Sequence, residues 1–109
     1  MSLVSSSSST NNHNLYFSKN ELTKILNVYS KGVSKGDWKD YAIDFSQNNA
    51  FFYIYKHTLA SPECILNKYL EKKKRRVFYK LKLKNINKKF QNLDSLISEF
   101  SRINFKLIN

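Results

Sequence analysis

The sequence predicts an α+β fold: an N-terminal helix, an antiparallel meander of four to five strands, and a C-terminal helix packed on one sheet face. Three observations lead to this prediction. Apolar residues recur with a helical period near each end of the chain, they alternate with a period of two in between, and short connections favour pairing of neighbouring strands in chain order. The order helix, strands, helix is typical of α+β proteins.

The chain of 109 residues has the length of one domain with one modest core. Residues 1–14 are rich in Ser and Asn and bury too little to order themselves, so we expect a disordered tail before a single α+β domain over residues 15–109. This tail carries neither Lys nor Arg and no long apolar run, unlike a secretory signal. No stretch approaches the about 20 apolar residues of a membrane span. The expected location is cytoplasmic, with Cys64 as a free thiol.

The first helix carries its own start and stop signals. Ser18 and Glu21 have the spacing of a capping box, in which each side chain bonds the backbone N–H of the other residue. An apolar stripe with a 3.6-residue period follows and is expected to run through Gly32 to Val33. Gly36 then has the place of a left-handed helix stop. The stripe consists of Leu22, Ile25, Leu26, Tyr29 and Val33.

The next two segments alternate with the period of a strand. In the first, Tyr41, Ile43 and Phe45 share one face. In the second, residues 50–57, both faces are apolar, which suits a central strand covered on both sides. A third strand is predicted over residues 63–70, where a helix fits nearly as well.

The fourth strand, residues 76–84, has the clearest alternation, with Leu81 and Leu83 on one face and lysines on the other. A short extra strand is compatible with the segment around Ile86. Asn92 is then expected to cap a last helix, and the apolar residues near the chain end are candidates for docking on the sheet. The apolar stripe of that helix and the docking candidates are Leu93, Leu96, Ile97, Phe100, Ile103, Phe105, Leu107 and Ile108.

The positive charge is concentrated in one stretch. The whole chain has a formal net charge of +11, and residues 68–89 alone hold eleven Lys and Arg against one acid. The run at residues 72–76 is expected at the tip of the hairpin between the third and fourth strands, and the fourth-strand lysines extend it along an open sheet face. Such a stripe suits the phosphate backbone of nucleic acid. The residues predicted to bind are Lys72, Lys73, Lys74, Arg75, Arg76, Lys80, Lys82 and Lys84; Lys68, Lys88 and Lys89 complete the basic stretch.

The same lysines also fit roles that involve no ligand. Lysines on a solvated strand prevent edge-to-edge pairing, and Asp40 and Asp44 are candidates for cross-strand pairs with them. Among the aromatic residues of the second strand, Phe52, Tyr53 and Tyr55 are candidates for stacking on unpaired bases. The rival function is a protein–protein adaptor that contacts an acidic partner.

Catalysis and metal binding have weak support in the sequence. Cys64 with His57 as base is the one nucleophile pair that the spacing allows, and no residues have metal-ligand spacing. An enzyme would need a concave pocket with two or more titratable groups. We therefore expect a non-catalytic basic binding module with no cofactor and no metal, its partner a nucleic acid or an acidic protein and not a membrane.

The stretch from Phe17 to Tyr55 carries a recognisable pattern. It consists of Glu21, Leu22, Ile25, Leu26 and Tyr29, the run Gly-Asp-Trp-Lys-Asp-Tyr-Ala-Ile-Asp-Phe at 36–45, and the aromatic strand that follows. In these residues the chain resembles a small uncharacterised bacterial family, the domain of unknown function DUF2794. The resemblance implies a compact soluble bacterial domain and no known activity.

If members of the family share a site, the resemblance implies that Trp38, Asp40, Tyr41 and Asp44 belong to it, joined by basic residues across the sheet. The alternative is that these residues only fix the junction between the first helix and the sheet.

Overall fold

Across residues 14–58 and 60–105, which the computed structural model describes, two helices pack on one face of a five-stranded antiparallel sheet. The strands follow one another in chain order, so the predicted α+β meander is confirmed. The elements are α1 (Lys19–Ser34), β1 (Asp40–Phe45), β2 (Asn49–Tyr55), β3 (Cys64–Glu71), β4 (Arg76–Leu83), β5 (Ile86–Phe90) and α2 (Leu93–Phe105).

Both ends of α1 lie where the sequence predicts them. The backbone N–H of Glu21 donates to Ser18 Oγ over 3.1 Å, and the N–H of Ser18 donates to Glu21 Oε1 over 2.8 Å. At the other end Gly36 has a φ of 82°. The N–H of Asp37 bonds the carbonyl of Gly32 and the N–H of Gly36 bonds that of Val33, which is a Schellman motif.

Trp38 packs directly against the backbone of α1 at Gly32. A Cβ atom placed on Gly32 would lie 2.1 Å from Cε3 of the indole. The indole is 3% exposed and stacks on Phe100 of α2, with ring centroids 5.3 Å apart. The expectation that the buried stripe of α1 ends on Val33 is wrong, because Gly32 faces the core in its place and Val33 is 43% exposed.

The register of the strands divides the side chains between two faces of the sheet, because residues paired in an antiparallel ladder point to the same side. One face contacts α1 and α2, and its central residues Phe52, Leu66 and Leu81 form one paired row with almost no exposure. The other face, called the open face below, contains the alternate residues. Its members include Phe51, Tyr53 and Tyr55 of β2, Ile65, Asn67 and Tyr69 of β3, Arg76, Phe78, Lys80 and Lys82 of β4, and Asn87 and Lys89 of β5.

The structure corrects one prediction about β2. The sequence suggested a strand covered on both sides, but only Ala50, Phe52 and Ile54 are buried, and the residues between them are half-buried. The reason is that α1 and α2 lie on the same side of the sheet, and no other segment within residues 14–58 and 60–105 packs on the open face.

The remaining elements resolve the alternatives. Residues 64–71 form a strand and not a helix, because β2 and β4 pair with them on both sides. The side chain of Asn92 caps α2 by accepting from the N–H of Ser95 over 2.8 Å, and Ile103 packs against the core. The first thirteen residues of the expected tail, the side chain of Phe105, and the docking candidates at 107 and 108 lie outside the described residues.

A partly buried polar cluster joins the start of α1 to β3 and β4. The Glu21 carboxylate accepts hydrogen bonds from Lys68 Nζ at 2.8 Å and from the Tyr79 hydroxyl. The side chains of Lys68 and Glu21 are 13% and 15% exposed. Burial raises the pKa of Glu21, but the bonds from Lys68, Tyr79 and Ser18 outweigh it and hold that pKa below its ordinary value. Burial, and then the bond to Glu21, raises the pKa of Tyr79.

Replacing Gly32 by alanine tests the contact with Trp38. Alanine favours a helix over glycine by about 1 kcal/mol, but its methyl group would enter the indole ring. We expect a net loss of about 1–3 kcal/mol in the free energy of unfolding, measured by urea denaturation. The matched control, Ser34→Ala, changes an exposed residue of the same helix. A Gly32→Ala variant as stable as the control would contradict this packing.

Replacing Lys68 by alanine leaves the partly buried Glu21 carboxylate without its charged partner, although Tyr79 and Ser18 still donate to it. We expect a loss of about 1–3 kcal/mol in the free energy of unfolding, because solvent still reaches the pair. The matched control is Lys82→Ala, which removes an exposed lysine and is expected to change stability by less than about 0.5 kcal/mol. The arrangement is refuted if both variants unfold at the same urea concentration.

The same cluster determines an acid dependence. The pKa of Glu21 is lower in the folded chain than its ordinary value of 4.5. Its stabilisation is therefore complete above that pH and is lost as the pH falls through the folded pKa. The Glu21→Gln variant has no carboxylate at this position. As the pH is lowered below 4.5, we expect its free energy of unfolding to fall less than that of the wild type. Parallel stability curves for the two proteins would exclude a role for Glu21.

Candidate nucleic-acid interface

On the open face, cations and aromatic rings lie side by side over the central strands and towards β5. Its residues form rows across the strands, because the register pairs Phe51 with Asn67, Asn67 with Lys80, and Lys80 with Lys89. The next row away from the hairpin tip contains Tyr53, Ile65, Lys82 and Asn87. Arg76, Lys80, Lys82 and Lys89 are called the basic strip below.

The basic strip continues into the tip of the β3–β4 hairpin. Residues 72–75 form the turn between these strands, as predicted, and their side chains are exposed. Arg75 has a φ of 52°, which closes the turn in the left-handed region. The tip and the strip together supply eight cationic side chains, which are Lys72, Lys73, Lys74, Arg75, Arg76, Lys80, Lys82 and Lys89.

The aromatic rings of the open face form two groups. Phe51 and Tyr53 stack with centroids 5.6 Å apart and planes 15° from parallel. Tyr69 and Phe78 form the second group, at 5.9 Å. Burial, and then the nearby Asp44 carboxylate, raises the pKa of Tyr53, so this phenol stays neutral at pH 7.

Cations of the basic strip lie over the second aromatic group. Lys80 Nζ is 4.7 Å from the ring centroid of Tyr69. Lys89 Nζ and Arg76 Cζ lie 4.1 Å and 5.3 Å from that of Phe78. These cation–π contacts orient Arg76, Lys80 and Lys89 without neutralising them, because an aromatic ring carries no net charge.

Three basic residues of the predicted stretch belong neither to the strip nor to the hairpin tip. Lys68 and Lys88 lie on the helix-facing side, where they form ion pairs with Glu21 and Glu99. Hydrogen bonds from Arg102 and Lys88 lower the pKa of Glu99 to about 2, so it is ionised at neutral pH. Lys84 has an exposed side chain with Nζ 3.9 Å from Glu63.

The two aspartates of β1 are not cross-strand partners of the lysines. β1 and β4 are separated by two strands, so Asp44 and Lys80 lie in the same row but about 14 Å apart. The carboxylates instead accept from the backbone N–H groups of Tyr41 and Phe45, each over 2.8 Å. The backbone N–H of Ser46 points to β2. Because successive N–H groups along a strand point to opposite sides, the N–H groups of Tyr41 and Phe45 point away from β2. Asp40 and Asp44 thus cover donors of an edge strand, which opposes pairing with another chain.

The four residues that the family resemblance singled out do not share one surface. Trp38 is buried between the helices and the sheet, where it stacks with Tyr29 and Phe100. Tyr41 points to the helix side, at 4.9 Å from the ring of Phe52. Asp40 and Asp44 belong to the opposite face. This placement suits the alternative in which the four residues fix the junction between α1 and the sheet.

Two further candidates change with the structure. Phe52 is fully buried on the helix side and cannot stack on a base. Cys64 is also fully buried, and burial raises the pKa of its thiol to about 12, so it is no nucleophile at neutral pH. Residues 14–58 and 60–105 contain no group of three His, Cys, Asp or Glu that could hold a metal ion.

A concavity of about 350 Å³ lies at the sheet end opposite the tip. It has the two or more titratable groups that an enzyme needs, since Asp37, Lys56, Glu63 and Lys84 all line it. Two carboxylates line the concavity, those of Asp37 and Glu63. Among the described residues, Glu63 forms an ion pair with Lys84. This concavity is separate from the basic strip and is the place where an activity would be sought.

Tyr69 and Phe78 lie on the open face beside the candidate residues although the sequence analysis did not place them there, and Phe78 is only 4% exposed beneath Arg76 and Lys89. The signal for Phe78 was present, because alternation along β4 puts it on the same face as Lys80 and Lys82. The position of Tyr69 required the register of β3, which short apolar periodicity does not determine. Lys89 was already part of the predicted basic stretch, and the register of β5 places it beside Lys80.

The comparisons with known proteins agree with this chain's resemblance to one family. The family model described as "Protein of unknown function (DUF2794)" matches residues 15–95, which extend from before α1 into the first turn of α2. Neither the curated proteins nor the solved structures contain a match. Within the described part of the chain, α1 and α2 are too short or too polar to cross a membrane.

Proposed function

The chain belongs to the DUF2794 family of unknown function, and we propose that it is a non-catalytic module that binds nucleic acid through its open sheet face and hairpin tip. The observation that carries the proposal is the row of exposed cations along β4 and β5 beside aromatic rings. A nucleic acid offers both matching groups, phosphates for the cations and bases for the rings.

The distribution of ion pairs supports a polyanionic partner. Within residues 14–58 and 60–105, the cations in ion pairs are Lys24, Lys68, Lys84, Lys88 and Arg102. The lysines of the basic strip are not among them. Their charge is thus available to a ligand. The open-face carboxylates are Glu71, which is opposite Arg76 in the register, and Asp40 and Asp44 on the edge strand β1.

The rival proposal is an adaptor for an acidic protein. The structure offers an exposed apolar stripe for protein contact, consisting of Tyr41, Ile43 and Phe45 at 41–44% exposure. This stripe is on the helix side of β1, whereas the cations are on the open face near the other edge. One acidic partner would not cover both, so nucleic acid remains the preferred ligand. We extend the proposal to a cytoplasmic location in a bacterium, because nucleic acid is accessible there and the Cys64 thiol stays reduced.

Salt dependence is the direct test of the proposal. We expect the protein to bind a mixed-sequence oligonucleotide of roughly 20 nucleotides at about 50 mM salt, as measured by fluorescence anisotropy. If about five phosphates are contacted, affinity should fall roughly 10²- to 10³-fold between 50 and 200 mM salt, because binding releases condensed counterions.

A charge-matched pair of variants locates the binding surface. In the double variant Lys80→Ala, Lys82→Ala, the plot of log affinity against log salt should become shallower. The magnitude of its slope should fall by about 2, one unit for each lost phosphate contact. Lys19→Ala with Lys31→Ala removes the same charge from α1, away from the open face, and should leave the slope nearly unchanged. Absence of binding at the lower salt, or equal slopes for both double variants, would overturn the proposal. Recovery of one stoichiometric protein that survives nuclease treatment would favour the adaptor.

A further inference from the structure

A shallow cleft of about 180 Å³ lies in the middle of the open face. It lies across four strands, because its lining comes from β2, β3, β4 and β5. The lining residues are Phe51, Ile65, Asn67, Lys80, Lys82 and Asn87. Phe51 and Ile65 supply the apolar part of this lining, and two lysines stand on the side towards β5.

The ring of Phe51 is the part of this cleft suited to stacking. Its plane is 15° from that of the Tyr53 ring and the two centroids are 5.6 Å apart, so the rings form one stacked aromatic pair along β2, called the β2 platform below. The rings of Tyr69 and Phe78, by contrast, have cations over their faces. A planar ligand group can therefore stack at the β2 platform without displacing the cations that lie over Tyr69 and Phe78.

The charges across the sheet orient a ligand with one anionic side. Lys80, Lys82 and Lys89 lie on the β4 and β5 side of the platform, and Asp44 lies directly opposite Phe51 on β1. Phosphates are attracted to the first side and repelled from the second. A strand whose backbone follows β4 would therefore direct its bases towards Phe51.

These placements distinguish unpaired from paired nucleic acid. In a duplex the bases are stacked on one another inside the helix, so a flat sheet face meets mainly phosphates. An unpaired base is free to leave its neighbours and stack on an aromatic side chain. We infer that the ligand is single-stranded nucleic acid and that one unpaired base occupies the cleft against Phe51, with the adjoining phosphates on Lys80 and Lys82.

The inference rests on the proposed function and adds the substrate class to it. The amide nitrogen of Asn67 is already used within the sheet, because its Nδ2 donates to Asn49 Oδ1 and to the carbonyls of Ala50 and Lys68. Both hydrogens of this amide are therefore engaged, and the main contribution of the cleft to binding a base is stacking on Phe51. Binding is expected to tolerate different base sequences.

The experiment compares fluorescein-labelled ligands with the full chain at about 50 mM salt. The ligands are a mixed single-stranded DNA of roughly 10 nucleotides, an RNA of the same sequence, a duplex, and an abasic strand that keeps every phosphate and lacks the bases. We expect the DNA or RNA single strand to bind at least about tenfold more tightly than the abasic strand. Comparison of the DNA with the RNA arm identifies which source supplies the unpaired base.

Phe51→Leu removes the aromatic face but keeps an apolar side chain, and it should eliminate the difference between the single strand and the abasic strand. Phe45→Leu is the matched control, because Phe45 is an exposed phenylalanine on the helix side of the sheet; it should preserve the difference. Photocrosslinking of a bromouracil-containing strand to the unmodified protein gives a second measurement that does not depend on folding of a variant. We expect the crosslink in β2.

The outcomes separate the two proposals. If no ligand binds at low salt, the proposed function and this inference both fail. If all ligands bind equally and only the Lys80 and Lys82 variants weaken them, the basic strip binds nucleic acid but the base cleft is refuted. A crosslink confined to the tip, with Phe51→Leu unchanged, would also overturn the inference.

Discussion

The Glu21 carboxylate is the interaction on which the arrangement of this protein depends. It completes the capping box that starts α1, and it accepts from Lys68 on β3 and Tyr79 on β4. A single carboxylate therefore fixes where the helix begins and which side of the sheet it covers. Because the site is partly buried, loss of either charge leaves the other poorly compensated, which makes alternative placements of α1 unfavourable.

A second contact fixes the other end of the same helix. The indole of Trp38 lies against Gly32, where any side chain would collide with it, and stacks on Phe100 of α2. α1 and α2 are thus held on one face by a polar cluster at one end and an aromatic stack at the other. The functional consequence is on the reverse side, where half-buried aromatic residues of β2 remain accessible although their neighbours in the strand are fully buried.

Ion pairing then decides which lysines a ligand can use. Glu21 and Glu99 bind the lysines that point towards the helices, Lys68 and Lys88. Lys80 and Lys89 of the basic strip instead lie over aromatic rings, which orient them and leave their charge intact. Asp40 and Asp44 are at the far edge, so the open face changes from acidic at β1 to basic at β4 and β5. An electrostatic gradient of this kind gives a polyanionic strand a preferred orientation.

The sequence by itself determined the features that depend on nearby residues. The capping box of Ser18 and Glu21, the left-handed stop at Gly36, and the alternation of lysine and leucine in β4 are local patterns, and each appears as predicted. Only the tertiary structure decided which apolar face of β2 is covered and which lysines are neutralised. Periodicity along a strand states which side chains share a face, but coverage and charge pairing are set by elements distant in the chain, such as Glu21 and Lys68.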